Sequence, residues 1–543
     1  MLKRSLMILL LISLILSVSA CSHNKTDIIK ERGEDPAFEK YEVPTTLNIV
    51  MGVDPNYKSY TGETPANNPW IKTIKAKLNV NIHIDWFATH ENMDQRIDLA
   101  ISSNVLPDAM VVSPYQFNQM VEADELEDLT KAYEEYASPI MKRIIEGTNA
   151  GLKEDVMING KMLALPSANP EDFSMMWIRK DWLDRLGLAP PSTMKELESV
   201  AKAFVEQDPD GNGQKDTIGI AAGTSLYDEY NAGPGSFNLN PIFSAYDSYP
   251  GFWLKGKNGM PVYGSIQPET RTALAALREL YAKGLIDREM GIRETEAEVV
   301  IEGKAGIFFA PSFGGDWPIP EALKNNPRAN WQAYALPLDI AGKFNVKIFR
   351  PTQSYIVVRK GYEHPEAIIK IANLTLRDRE KYGDVFQPLQ NMLVPRDEVA
   401  FSVRAIQDVM AGRQEAGNFQ GKEEYPMLAS DLETIYNVKR PPYDNTDIQY
   451  WNLRDGNFRR AYSLLVGGKN LYDPNLNKVY SIYNEGRNSF AKQWKYLADE
   501  EMDVFTQIIM GVVPLETFDQ WVQNWKLQGG EQITDGIAKA ISP

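Results

Sequence analysis

Short apolar stretches alternate with amphipathic ones in the first quarter of the chain, and this alternation restricts the possible folds strongly. Apolar residues occupy every second position in residues 46–51 and 80–86, and residues 109–112 are apolar throughout. Between the first two stretches, apolar residues recur four positions apart behind Asn68 and Pro69, which suit a helix cap and a first helical turn. Strands that alternate with helices of this length predict β-α-β units in a mainly parallel sheet.

The same pattern predicts where a ligand would bind. Ligands of open α/β sheets lie beyond the carboxyl ends of the strands. The loop after residue 112 is one such position, and it carries Tyr115. Further strands are predicted at residues 305–310 and 354–358, and the C-terminal region is predicted to be helical.

A recurring tripeptide predicts where the chain passes between two lobes. Ala-Leu-Pro occurs at residues 164–166 and 335–337, and Leu-Val-Pro at 393–395 is similar. Because proline favours extended backbone in itself and in its predecessor, these segments suit stiff crossings that act as a hinge. Three ordinary strand ends are the alternative. The predicted fold is α/β with two lobes, each a mainly parallel sheet with flanking helices, and the lobes comprise residues 45–165 with 338–393 and residues 166–337 with 394–543.

A loop rich in Asp and Asn follows a helix with clearly marked ends. Thr193 and Glu196 predict a capping box at the start of this helix, which ends near Gln207. The loop has the order D-x-[DN]-x-[DN]-G that opens a calcium-binding loop. The predicted calcium ligands are the side chains of Asp208, Asp210, Asn212 and Asp216 and the backbone carbonyl of Gln214. Since the twelfth position is Gly219, which lacks the bidentate carboxylate of an EF-hand, a surface loop with Asx-turns is the alternative.

The first 20 residues predict a secretion signal. A basic start precedes an apolar run from Leu6 to about Val18, which is too short for an ordinary membrane span. Cys21 is the only cysteine among 543 residues, so no intramolecular disulfide can form. Residues 21–44 are polar and charged, and they are predicted to be a tether to the folded body.

The charge of the chain argues against two classes of partner. The formal net charge is −16 at pH 7, which disfavours binding to nucleic acid or to an anionic membrane surface. No apolar run of about 20 residues follows the signal, so the folded body is expected outside the membrane.

Several motifs in this order resemble one protein family. The chain is similar to the extracellular solute-binding lipoproteins of carbohydrate ABC importers, in the large Gram-positive subgroup that binds oligosaccharides and polysaccharides. The resemblance covers most of the chain, and the segments that carry it are VSAC at residues 18–21, IRKDWL at 178–183, DPDGNG at 208–213 with Asp216, LYAKGLID at 280–287, HPEA at 364–367 and the ending 505–530.

The resemblance implies a fold, a ligand and two further groups. It implies two α/β lobes with a sugar bound between them, delivery of that sugar to an ABC permease, and a structural calcium ion held by the five loop residues named above. It also implies that Cys21 is lipidated and anchors a monomer at the outer face of the cell membrane. Relatives can carry an acidic residue where this chain has Thr217, so the Thr217 hydroxyl or water would complete the calcium shell.

A sugar site needs aromatic rings that stack on sugar faces and planar polar groups that bridge hydroxyls. The candidates are aromatic and polar residues in predicted loops: Trp317, Trp451, Tyr115 and Tyr355, with Asp316 and Arg350. For each of them the alternative is a side chain that covers the core of its own lobe. By contrast, four tryptophans on helical stripes are predicted to be core residues: Trp177, Trp182, Trp521 and Trp525.

Two other functions are compatible with this composition. A secreted glycoside hydrolase needs two carboxylates about 5–9.5 Å apart, and no recognisable motif frames such a pair. The four histidines lack metal-ligand spacing, and the chain has no G-x-S-x-G motif and no phosphate-binding loop. The sequence therefore predicts a binding protein rather than an enzyme. A peptide-binding lipoprotein of similar length is the other alternative.

Overall fold

A computed structural model of the chain describes residues 35–53, 63–147, 151–228, 234–293, 295–382, 386–389, 393–419, 425, 427–437, 452–483 and 491–540. The strands in these ranges are β1 (Thr45–Val53), β2 (Val80–Thr89), β3 (Ala109–Val112), β4 (Met157–Ile158), β5 (Lys161–Met162), β6 (Leu165–Pro166), β7 (Met175–Arg179), β8 (Ile218–Ala221), β9 (Trp253–Lys255), β10 (Pro261–Tyr263), β11 (Ala305–Ala310), β12 (Trp331–Tyr334), β13 (Phe344–Ile348), β14 (Tyr355–Val358) and β15 (Leu476–Tyr480).

The helices surround these strands and dominate the C-terminal region. They are α1 (Pro69–Leu78), α2 (His90–Ser103), α3 (Pro114–Glu122), α4 (Thr130–Tyr136), α5 (Pro139–Glu146), α6 (Leu152–Val156), α7 (Lys180–Leu186), α8 (Met194–Glu206), α9 (Asn240–Ala245), α10 (Pro268–Ala282), α11 (Glu298–Ile301), α12 (Ile319–Asn325), α13 (Glu366–Tyr382), α14 (Glu398–Met410), α15 (Leu428–Asn437), α16 (Gly456–Tyr462), α17 (Ala491–Met510), α18 (Thr517–Trp525) and α19 (Glu531–Ala540). Short 3-10 or π turns lie at Pro36–Phe38, Gly264–Ile266, Ser312–Gly315, Ala416–Phe419, Ser463–Gly467, Gly468–Tyr472 and Lys526–Gly530.

The first sheet has the strand order β2-β1-β3-β14-β6 within the described ranges. β1 runs parallel to β2 and β3, whereas β14 runs antiparallel to β3 and to β6. The Asn68 side chain accepts a hydrogen bond from the Ile71 amide at 3.1 Å, which confirms the predicted cap of α1. Apolar residues at alternate positions of β1, such as Leu47 and Ile49, pack beneath the helices in one continuous core.

The second sheet has the order β12-β7-β11-β8 within the described ranges. β11 runs parallel to β8, and β7 runs antiparallel to β11 and β12. Hydrophobic clusters pack against this sheet, one around Trp177 and one around Trp182. The predicted core tryptophans, which also include Trp521 and Trp525, are each at most 2% exposed. The predicted capping box of Thr193 and Glu196 at the start of α8 is present.

Both sheets are mixed rather than uniformly parallel. In each sheet the reversed strand is the one that the chain enters directly from the region between the lobes, β14 in the first and β7 in the second. A strand that the chain enters from the region between the lobes must run away from that region. β3 and β11 run the opposite way and end near it, since Val112 pairs with Tyr355 and Ala310 pairs with Met175. The alternation of strands and helices in the sequence does not indicate the direction of these strands.

Three extended pieces of chain lie side by side between the sheets, and we call them the crossing segments (residues 167–174, 349–354 and 393–397). Backbone hydrogen bonds join them, from Ser167 N to Ser354 O at 2.8 Å and from Asn169 N to Pro351 O at 2.9 Å. The third segment is joined to the first by the bond from Val394 N to the Ala168 carbonyl at 3.0 Å. The two sheets are therefore connected by short, mutually bonded strands of backbone.

The second crossing lies later in the chain than the sequence predicts. Phe344 and Val346 of β13 pack in the cluster around Trp177, whereas Tyr355 packs in the core of the first sheet. The chain therefore leaves the lobe that contains the second sheet after Ile348, not at residues 335–337. Residues 335–337 directly follow β12 of the second sheet. They are therefore the ordinary strand end that was considered as the alternative.

Residues 35–44, which were predicted to belong to the tether, pack against α13 of the first lobe. Ala37 is 2% exposed, and its carbonyl accepts a hydrogen bond from Asn373 Nδ2 at 3.1 Å. The Tyr41 hydroxyl donates to Glu366 Oε1 at 2.7 Å. The turn at Pro36–Phe38 carries small and apolar residues within a charged region, and this local composition explains why it docks. In the described part of the chain, no helix is both long and apolar enough to span a bilayer.

Candidate functional site

Residues 312–317, which we call the aromatic loop, follow β11 and carry exposed rings. The loop opens with the 3-10 turn Ser312–Gly315. Phe313 and Trp317 are 45% and 44% exposed, although most large apolar side chains around them are buried. The loop stands at the end of β11 that faces the crossing segments, which is the expected position for a ligand site in an α/β sheet.

The floor of the aromatic loop is packed closely against the core. The Trp177 indole Nε1 donates to the Pro311 carbonyl at 3.1 Å. A Cβ at Gly314 would lie 2.6 Å from the same Nε1 atom, and a Cβ at Gly315 would lie 2.7 Å from Ser463 Oγ. Only glycine fits at these two positions, so the backbone of the loop is packed against the core while its large side chains point outward.

Trp317 and Asp316 are each supported by a neighbour. The Trp317 ring meets the Phe237 ring edge to face, with centroids 6.0 Å apart, and Phe237 in turn stacks on Phe308 at 5.3 Å. The Asp316 carboxylate lies 3.2 Å from Arg459 Nε of α16. Partial burial raises the pKa of Asp316, and the charge of Arg459 opposes that rise. The loop thus offers aromatic surface together with a carboxylate and a guanidinium.

The other predicted site residues take different positions. Tyr115 is half-buried in the first turn of α3, directly beyond the carboxyl end of β3. Tyr355 is 4% exposed and its ring stacks on Phe117 at 4.4 Å, so packing already occupies one face of that ring. Arg350 lies in a crossing segment and forms an ion pair with Asp155 of α6. The structure places Asp316 and Trp317 together, and it pairs Arg350 with the first lobe.

Two site features are absent from the sequence-based prediction. Phe313 lies in the same loop as Trp317 and is equally exposed, and the turn-forming glycines after it were the available signal. Arg459 approaches Asp316 from a helix more than a hundred residues later in the chain, and no local pattern indicates that contact. Cys21 and Trp451, which were also predicted to be functional, lie outside the described residues.

The predicted calcium loop closes on itself through side-chain hydrogen bonds. Asp208 accepts from the amides of Gly211 and Gly213, each at 3.1 Å. Asn212 Nδ2 donates to Asp210 Oδ2 at 2.8 Å and to Asp216 Oδ1 at 3.1 Å. A hydrogen bond shared with Asp210 lowers the pKa of Asp208, whereas partial burial raises that of Asp210.

The residue types of this loop suit a hard cation, but its side chains are hydrogen-bonded within the loop. The loop contains three carboxylates and one amide side chain, and oxygen is the donor that calcium requires. The side-chain NH2 group of Asn212 lies between the carboxylates of Asp210 and Asp216 and bonds to both. A bound cation would attract the same two carboxylates. The Thr217 hydroxyl instead donates to the Phe204 carbonyl at 2.7 Å and is buried. No group of three or more His, Cys, Asp or Glu residues in the described ranges is arranged to hold a metal.

Comparison with curated proteins identifies a polysaccharide-binding protein and a lipoprotein as relatives. The polygalacturonan/rhamnogalacturonan-binding protein YtcQ of Bacillus subtilis is 27% identical over 254 residues, which cover 45% of this chain and 47% of that protein. The chain thus spans about half the length of YtcQ in that match. Lipoprotein LipO of the same organism is 21% identical over 533 residues, which cover 96% of this chain and 95% of LipO.

Solved structures with the same fold include two binding proteins. The alginate-binding protein AlgQ2, solved without calcium ion, has a TM-score of 0.58 at 17% identity, with 92% of this chain and 98% of that chain covered. An EF-hand mutant of the S. pneumoniae ABC-transporter substrate-binding protein FusA, in complex with fructo-nystose, has a TM-score of 0.51 at 15% identity, with 88% and 100% covered. These similarities show the two-lobed solute-binding fold.

One family model matches more than half of the chain. The match spans residues 61–380, which include the four strands of the second sheet, the aromatic loop and the calcium-type loop. The motifs that suggested a solute-binding lipoprotein lie partly within the same region. The chain belongs to the family of bacterial extracellular solute-binding proteins.

Proposed function

We propose that the protein captures an oligosaccharide between its two lobes and delivers it to an ABC permease in the membrane. The observation that carries this proposal is the aromatic loop, whose exposed Phe313 and Trp317 stand on a rigidly seated turn next to the crossing segments. Relatives named as binding polygalacturonan, alginate and fructo-nystose support an oligosaccharide rather than a peptide.

The chemistry of the loop suits a sugar. The C–H faces of a pyranose or furanose pack on aromatic rings, and hydroxyl groups bind to charged planar side chains. Trp317 supplies a ring that Phe237 holds from behind, and the Asp316–Arg459 pair supplies an acceptor and donors beside it. Tyr115 would contribute from the first lobe. Tyr355 and Arg350 would act through packing and through the Asp155 ion pair, not by direct stacking.

We also propose a structural calcium ion in the loop at residues 208–216. Its ligands would be the side chains of Asp208, Asp210, Asn212 and Asp216 and the Gln214 carbonyl, after the Asn212 amide turns its oxygen inward. Since the Thr217 hydroxyl is directed to Phe204, water would complete the shell. The EF-hand mutant of FusA supports a loop of this type in a protein of the same fold.

The proposal also includes a lipid anchor and a monomeric state. Lipidation of Cys21 after removal of residues 1–20 would hold the protein, as a monomer, at the outer face of the cell membrane. The lipoprotein LipO, which aligns over nearly the full length, supports this location. A Cys21→Ser variant that remained in the membrane fraction would contradict the anchoring. Binding of the sugar without turnover distinguishes this function from that of a glycoside hydrolase.

The aromatic loop can be tested by removing its rings. Trp317→Ala and Phe313→Ala should each weaken the affinity for a bound oligosaccharide by about tenfold or more, because stacking on an aromatic ring contributes roughly 0.5–1.5 kcal/mol beyond the area that it buries. Tyr496→Ala is the matched control, since Tyr496 is an aromatic residue that is 58% exposed on α17, outside the loop. Unchanged affinity in both loop variants, measured by calorimetry on folded protein, would remove the loop from the site.

A further inference from the structure

One buried carboxylate joins a crossing segment to the aromatic loop. Asp172 lies in the first crossing segment and is 7% exposed. Its Oδ2 accepts hydrogen bonds from the Ser312 hydroxyl at 2.6 Å and from the Ser312 amide at 3.0 Å. Its Oδ1 accepts from the Phe173 amide at 2.8 Å. A single side chain therefore fixes the first residue of the loop to the backbone that connects the lobes.

The position of Ser312 makes this contact consequential. Ser312 is the first residue of the turn that carries Phe313, and Trp317 follows five residues later. The bond from Trp177 to Pro311 holds the strand end just before the turn, and the Asp172 contact adds a side-chain restraint at the first residue of the turn. Crossing segments move when two lobes rotate about them. Any such movement would pull on Ser312 through Asp172.

We propose that Asp172 is a positioning residue for ligand binding, which holds the aromatic loop in its stacking orientation and couples that orientation to the crossing segments. This inference rests on the function proposed above, because it assumes that the loop binds the sugar. Asp172 itself does not touch the ligand. Its effect passes through Ser312 to the rings that do.

The protonation state of Asp172 gives the contact a measurable signature. Burial raises the pKa of this carboxyl to about 6, although the bonds from Ser312 and Phe173 oppose the rise. The charge of Glu398 also raises it slightly, and Glu398 is itself paired with Arg460. The neighbouring Glu171 is directed to Lys478 and lies 3.7 Å from Arg396.

The sign of the pH dependence follows from these bonds. Above pH 6 the ionised carboxylate accepts both bonds from Ser312. As the pH falls below 6, the carboxyl binds a proton and one of its oxygens becomes a hydroxyl donor, so the three bonds from Ser312 and Phe173 are no longer all kept at full strength. The loop is then held less firmly, so ligand affinity should fall between pH 7 and pH 5. One unit below the pKa about nine tenths of the carboxyl is protonated, so the loss at pH 5 is limited to about tenfold.

The first test needs no ligand. In protein labelled with 5-fluorotryptophan, the fluorine resonance of Trp317 is identified by its absence in Trp317→Phe. We expect this resonance to titrate with a midpoint near pH 6 in the wild type and to lose that transition in Asp172→Asn. Any change caused by the neighbouring Asp316, whose pKa is also raised by burial, should be the same in both proteins. A Trp317 resonance that does not titrate in the wild type, or that titrates equally in Asp172→Asn, would overturn the inference.

Asp228→Asn is the matched control for this titration. Asp228 is also a buried carboxyl in the second lobe, and burial raises its pKa to about 6 as well. It is bonded to Asn238 and Asn240 and makes no contact with Ser312. The Trp317 titration should persist in Asp228→Asn. If it disappears there and survives in Asp172→Asn, Asp228 and not Asp172 controls the loop.

The second test measures affinity for defined fragments of polygalacturonan and for fructo-nystose. Asp172→Asn should weaken the binding of whichever sugar binds by about tenfold at pH 7 and abolish the pH dependence. Ser312→Ala, which removes only the hydroxyl donor, should produce a smaller loss, and it replaces Asp172→Asn if that variant does not fold. Wild-type affinity in folded Ser312→Ala and Asp172→Asn would contradict the inference. Failure of both sugars to bind while the Trp317 resonance titrates would count against the proposed function alone.

Discussion

At the scale of single residues, exposure and packing separate the site from the core. The sequence predicts Trp317 and Asp316 because they stand beyond a strongly apolar strand, and the structure places both on the aromatic loop. Tyr355 is also an aromatic residue at the boundary of an apolar strand, but that strand pairs on both sides and its ring is buried against Phe117. Whether an aromatic ring at a strand boundary is exposed depends on the residues that pack against it in the folded protein. A local sequence pattern does not identify those residues.

Gly314 provides a test at this scale. Gly314→Ala would place a Cβ 2.6 Å from the Trp177 indole, so either the ring or the loop must move. Overpacking of this kind costs about 1–3 kcal/mol, and we expect a fall in the free energy of unfolding of that size together with weaker sugar binding. Urea denaturation measures the first effect. Gly417→Ala is the control, because no atom lies within 4 Å of its Cβ position, and equal stability losses in both variants would refute the close-packing explanation.

At the scale of elements, local signals were reliable where one segment determines its own structure. The cap of α1, the capping box of α8 and the strand at residues 305–310 are present as predicted. Of the two interpretations of the tripeptide at residues 335–337, the ordinary strand end is the one found, because a proline after an extended residue marks a strand end wherever that strand lies. The ion pairs of Arg460 with the buried Asp431 of α15 and Glu398 of α14 join three helices that are consecutive within the described residues, and only the structure reveals them.

The loop at residues 208–216 yields a prediction for a single element. Bound calcium should stabilise the folded protein by about 2.7 kcal/mol when its free concentration is a hundred times the dissociation constant. Chelator should therefore lower the melting temperature, and calcium should restore it. Asp216→Asn should lose this response, whereas Asp339→Asn should keep it, since Asp339 caps an ordinary turn through the amides of Ala341 and Lys343. A melting temperature insensitive to both calcium and chelator would leave the loop as a hydrogen-bonded turn.

At the scale of the whole molecule, two mixed sheets share a region of bonded crossing segments. The alternation of strands and helices was sufficient to predict the α/β class, and the sheets with their flanking helices confirm it. The direction of β7 and β14 was not predictable, because it depends on the side from which the chain enters each sheet. The hydrogen bonds between residues 167–169 and 351–354 join two crossing segments at the place where a hinge rotation between lobes would occur.

The central claim is that this protein binds an oligosaccharide through the aromatic loop. Isothermal titration of the folded protein with polygalacturonan fragments, alginate oligosaccharides, fructo-nystose and a set of short peptides tests it most directly. We expect saturable binding of one oligosaccharide class, no heat from the peptides, and loss of the sugar signal in Trp317→Ala. Saturable binding of a peptide with no response to any sugar would contradict the account.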